Sequence, residues 1–157
     1  MKTIIICCLS LLLLPTIPAH AQGILGRIEA KIGHELTVNQ RRTIQESAQK
    51  EVSALKAEQD KFVVAIAGIT KLPEEKIREF MPKIGGNNAG FDKNMIPKLE
   101  KALGRSLTTG EMEKIRAADK AKKAAMKPIQ EEFAGTIAKV SGLKKEDALA
   151  LLPKIGL

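Results

Sequence analysis

The chain of 157 residues carries 26 Lys and Arg against 18 Asp and Glu, a net charge of +8 at pH 7, with no Trp, no Tyr and four Phe. So few rings argue against a glycan or nucleic-acid platform built from stacked aromatics. Both cysteines, Cys7 and Cys8, sit in an apolar run expected to be removed, which takes thiol chemistry out of the remainder.

Residues 1–21 read as a secretory signal peptide: Lys2, an apolar run from Thr3 to Leu14, then the small-residue site Ala19-His20-Ala21. The expectation is a periplasmic or secreted protein whose mature chain starts at Gln22. The run is too short for a stable membrane anchor, and no later stretch approaches the roughly 20 apolar residues that a spanning helix needs. Removing Lys2 with the leader leaves a net charge of +7.

The first expected helix is short, about Ile24 to Gly33, with Leu25, Ile28 and Ile32 at helical spacing and glycine at its end. A long helix follows from Val38 to Ile69, with an apolar stripe through Ile44, Ala48, Val52, Leu55, Phe62, Ile66 and Ile69. A third, short helix opens at Pro73, with Glu74 and Glu75 near the positive end of its dipole, and stops at about Met81, before Pro82. The run Gly85-Gly86-Asn87-Asn88-Ala89-Gly90 offers positive-φ residues and little to pack, and reads as a linker.

The same pattern then returns. A shift of 71 residues lays 28–85 onto 99–156 without a gap, with 17 identities in 58 positions, closing on Pro82-Lys83-Ile84-Gly85 and Pro153-Lys154-Ile155-Gly156. The second short helix is expected from about Met95 to Gly104, with Pro97 in its first turn. The second long helix carries Met112, Ile115, Ala118, Met126, Ile129, Phe133, Ile137 and Val140, and Pro128 inside it predicts a kink near Ala124. The last helix covers about Lys144 to Leu152.

The expected fold class is therefore all-α: six helices in the mature chain, a tandem duplication of a short, long, short unit. The first repeat covers 22–86, the linker 87–94 and the second repeat 95–157. Each repeat is too small for a robust core of its own, so the two are expected to share apolar surface or to dimerise.

Leu36-Thr37-Val38-Asn39-Gln40 has the form of a capping box: Thr37 takes the orphan N–H groups at the helix start, and Gln40 reaches back to the N–H of the cap. Leu107-Thr108-Thr109-Gly110-Glu111 repeats it with a carboxylate as the reciprocal partner. Leu36-Thr37-x-x-Gln40 also resembles the LTxxQ signature of the periplasmic helical group that includes the Spy and CpxP stress proteins. The resemblance implies an all-helical, often dimeric envelope protein, exported by a signal peptide, whose concave basic and apolar surface holds unfolded clients without ATP or senses envelope stress.

Arg116, Lys120, Lys123 and Lys127 recur at intervals that place them on one face of the second long helix, with Lys122 alongside. The equivalent residues of the first half are Gln45, Gln49, Val52 and Lys56, so the charge is one-sided: +2 for 22–91 and +5 for 92–157. A polar helix face is commonly just solvated, and Asp119 and Glu131 compensate part of this one. The functional alternative is attraction to acidic partners or to anionic surfaces. Phe62 and Phe133, at equivalent places on the apolar stripes, read as core before they read as a client-binding groove.

His34 is the single histidine left after processing and lacks a second imidazole for a ligand set. No phosphate-binding loop, nucleophile elbow or zinc-protease signature is present. The expectation is a protein with no enzymatic activity, no cofactor and no bound metal, one that binds other proteins rather than nucleic acid. Two readings stand side by side: a holder of unfolded clients, or an inhibitor or adaptor that takes one acidic partner on the basic face of residues 116–127.

Overall fold

A computed structural model of the chain describes residues 19–81, 84 and 91–153. Among these, all regular structure is helical, in six elements: α1 (Ala19–Ile32), α2 (Val38–Thr70), α3 (Glu74–Phe80), α4 (Phe91–Leu103), α5 (Thr109–Ser141) and α6 (Lys145–Leu151). Residues 1–18, within the expected signal peptide, residues 85–90, within the expected linker region, Pro82-Lys83 and the closing residues 154–157, with the second Pro-Lys-Ile-Gly ending beyond its proline, lie outside the described residues.

Two boundaries differ from the sequence reading. Helix α1 begins at Ala19, ahead of the expected start at about Ile24. Helix α4 begins at Phe91, so residues 91–94, assigned to the linker, are helical and Pro97 is an interior residue. Pro97 itself is exposed. At Pro128, α5 is unbroken, and both Pro128 and Ala124, whose carbonyl loses its partner, are exposed, so water can take that carbonyl.

The long helices start and stop on chemistry that recurs in both halves. The N–H groups of Gln40 and Glu111 donate to Thr37 Oγ1 and Thr108 Oγ1, at 3.3 and 3.2 Å. The N–H groups of Thr37 and Thr108 donate to the side chains of Gln40 and Glu111, at 2.9 and 2.8 Å. Just ahead of each cap, a carboxylate from the short helix accepts a backbone N–H: Leu36 to Glu29 and Leu107 to Glu100, both at 3.0 Å. At the far ends Thr70 and Ser141 donate back to the carbonyls of Ile66 and Ile137, at 2.8 and 2.7 Å. The next residue is left-handed in both places: Lys71 at φ 63° and Gly142 at φ 76°. Only the second half has the residue that adopts this conformation without strain.

Neither half closes a core alone. One cluster gathers Ile24, Leu25 and Ile28 of α1, Ile44 and Ala48 of α2, Phe133, Ala134 and Ile137 of α5, and Ala148 of α6. The other gathers Phe62, Val63 and Ile66 of α2, Ile77 of α3, Met95 and Leu99 of α4, and Ile115 of α5. The start of α2 thus packs against the end of α5 and the end of α2 against the start of α5, so the long helices are antiparallel. One end of the pair is covered by α1 and α6, the other by α3 and α4. The expectation of shared apolar surface is met within a single chain, by reciprocal exchange across the long pair.

Candidate interaction surface

Between the two clusters the long helices pass a waist where Leu55 and Met126 are buried beside two carboxylates, Glu51 and Asp119. A carboxylate survives there only if its charge is met. Asp119 Oδ1 lies 2.8 Å from Lys122 Nζ and its Oδ2 3.0 Å from Lys123 Nζ. The Lys122 side chain is only 12 % exposed, and its ammonium sits 4.2 Å from the centroid of the Phe62 ring. Lys122 therefore bridges a buried carboxylate and an aromatic face, a cation–π contact in a desolvated setting. Sequence spacing missed this inward turn, because Lys122 and Lys123 are adjacent in a basic run and differ only by one step of about 100° around the helix.

The other members of the stripe divide. Arg116, Lys120 and Lys127 are exposed, while Lys123 is half-buried and held by Asp119. Lys127 has Glu131 one turn on, at 3.9 Å. From Lys114 to Gln130 the sole carboxylate on α5 is Asp119, which faces inward, so the exposed charges of this stretch are all positive. Phe62 and Phe133 are each 2 % exposed and do not form a client-binding groove: the burial that completes the two cores takes both rings out of reach of a partner. Among the described residues the exposed large apolar side chains are Val38, Val64 and Leu149, none of them on α5.

The capping residues Thr37, Gln40, Thr108 and Glu111 do what their spacing predicts, and two of them do more. The Gln40 amide accepts at Oε1 from its own cap and donates from Nε2 to the carbonyl of Val140 on α5, at 2.7 Å. One side chain thus closes the start of α2 and one of the open carbonyls at the end of α5. Glu111 has no proton to donate in that way. Its carboxylate instead receives Arg105 at 2.7 and 2.9 Å, and this pairing together with the Thr108 N–H pulls its pKa down from 4.5 to about 2. The first half has His34 where the second has Arg105. The Gln-to-Glu difference between the motifs therefore accompanies a different local partner.

At the α1/α6 end, Arg27 Nη1 donates to the carbonyl of Leu151 at 3.0 Å, and Lys31 pairs with Asp147 at 3.4 Å. At the other end, Arg78 of α3 pairs with Asp60 of α2 and with Glu74. These pairs join elements that the cores already bring together, and being largely exposed they add little stability of their own. Among the described residues no group of three or more His, Cys, Asp and Glu is placed to hold a metal ion, and no helix is long and apolar enough to cross a membrane. No protein-family model, curated protein or solved structure matches this chain significantly.

Proposed function

We propose that this chain is an exported, non-enzymatic helical binding protein that engages an acidic partner through the basic face of residues 116–127. The observation that carries the reading is the charge of α5: every exposed ionic side chain between Lys114 and Gln130 is cationic, and the one carboxylate of the stretch is spent internally on Lys122 and Lys123. The leader-like first 21 residues and the resemblance of Leu36-Thr37-x-x-Gln40 to the LTxxQ signature support an envelope setting.

The chain is read, further, as a tandem duplication in which each half supplies one long helix and two short ones. The 71-residue identity pattern supports this, as do the paired caps at Thr37 and Thr108, the paired carboxylate contacts of Glu29 and Glu100, and the paired hydroxyl contacts of Thr70 and Ser141. The client-holding version has less behind it, since Phe62 and Phe133 are buried and the large apolar side chains exposed among the described residues are scattered singly.

The test is retention of the purified protein on immobilised poly-glutamate. The double variant Lys120→Gln/Lys127→Gln is expected to elute at clearly lower salt than the unaltered protein, whereas the equal charge change Lys144→Gln/Lys145→Gln on α6 moves elution much less. Equal shifts for the two variants would reduce the attraction to net charge and remove the face as a site.

A further inference from the structure

The face of α5 that points away from α2 has a composition of its own. Ile115, Met126 and Phe133 set the buried side, and Ala117, Ala124 and Pro128 fall roughly opposite them around the helix. Ala117, Ala121, Ala124 and Pro128 are all exposed, and exposed lysines flank them: Lys114 on one side, Lys120 and Lys127 on the other. The stretch from Lys114 to Lys127 is about 20 Å long. Two carboxylates share this face at its ends, Glu113 beside Lys114 and Glu131 3.9 Å from Lys127, and between them it carries none.

We propose that this face seats on a negatively charged bilayer surface, its lysines reaching the phosphate layer of the lipid headgroups. The proposal rests on the reading that α5 takes an acidic partner, and it specifies that partner. A tight protein–protein contact is anchored by a few large side chains buried in a pocket, chiefly Trp, Tyr or Arg; the outward face of α5 offers small side chains and lysines. A single-stranded polynucleotide is held by rings on which its bases stack, and none is exposed here. A bilayer asks for less: a flat approach, several cations whose contributions add, and stems long enough to reach past the helix to the charged plane. The alanines give the flat approach and the lysines the reach.

The test is co-sedimentation of the purified protein with phosphatidylcholine vesicles, with and without phosphatidylglycerol, beside the poly-glutamate measurement. Partition is expected onto the anionic vesicles only, weakening as salt rises. Lys120→Gln and Lys127→Gln should each lower the partition coefficient about fivefold, the factor one lysine contributes near an anionic surface, while Lys144→Gln/Lys145→Gln changes it by less than about twofold. No partition onto anionic vesicles, or equal losses for the face and the control, overturns the proposal. Loss on vesicles with face-dependent retention on poly-glutamate overturns the bilayer and leaves the acidic-partner reading standing; failure of both assays removes both.

Discussion

Replacing Ile137 by alanine tests the sharing of each core between the two halves of the chain. Ile137 belongs to α5 but is fully buried in the cluster that holds Ile24, Leu25 and Ile28 of α1 and Ile44 of α2. Truncating a buried isoleucine to alanine costs about 2–5 kcal/mol through lost transfer energy and the cavity left behind. Taking about 3 kcal/mol, and about 3 °C per kcal/mol for a domain of this size, the thermal midpoint followed by circular dichroism should fall by about 10 °C. The decisive readout is residue-resolved amide exchange under native conditions. Exchange should quicken in α1, in the first half of α2 and in α6, more than 80 residues from the substitution in the first two cases, while α3 and α4 keep the protection of the undisturbed cluster. Ile66→Ala is the mirror experiment: it should loosen α3, α4 and the start of α5 and spare α1 and α6. If Ile137→Ala loosened α4 and left α1 unchanged, the clusters would follow the halves of the chain and would not be shared between them.

Other outcomes follow from single contacts. Gln40→Glu keeps the cap but loses the donor to the Val140 carbonyl and sets a carboxylate against it, a cost of about 1–2 kcal/mol in chemical denaturation. Lys71→Gly relieves a left-handed lysine, as the glycine at 142 already does in the second half, and should raise stability by about 1 kcal/mol in the same assay. Asp119→Ala removes the carboxylate shared by Lys122 and Lys123 at the waist and should cost about 3 kcal/mol, well above the effect of Lys123→Ala, whose ammonium is closer to water. Glu111 is held at about 2 when folded against an ordinary 4.5, so its ionised form favours the folded state. That contribution is complete above about pH 4.5 and fades as the pH falls toward 2. The midpoint difference between the unaltered protein and Arg105→Gln should shrink over that window, and a difference constant down to pH 2 would contradict the assignment.

Much of this architecture is legible in the sequence because helices announce themselves by local means. The stripes through Ile44, Leu55 and Ile66 and through Ile115, Met126 and Ile137 mark the buried sides of α2 and α5, and all six residues are buried. The threonine caps are legible because a capping box is complete within four residues. Illegible is whatever depends on a distant neighbour. Periodicity says that Phe133 is buried but not that α1 covers its cluster, since any apolar stripe accepts any other. Gln40 has the same spacing whether or not its amide donates to Val140. Lys122 reads as surface until Asp119 and Phe62 close over it, and Pro97 reads as a first-turn residue because proline is at home there, although it sits deeper in α4.

The reciprocal cores also set an order of events during synthesis. Ile24, Leu25 and Ile28 leave the ribosome more than 100 residues before Phe133, Ile137 and Ala148, which complete their cluster. The opposite cluster, drawn from residues 62 to 115, can close while the end of the chain is still being made. The amino-terminal helix and the start of α2 therefore wait with their apolar sides uncovered, available to whatever holds nascent chains, until α6 arrives.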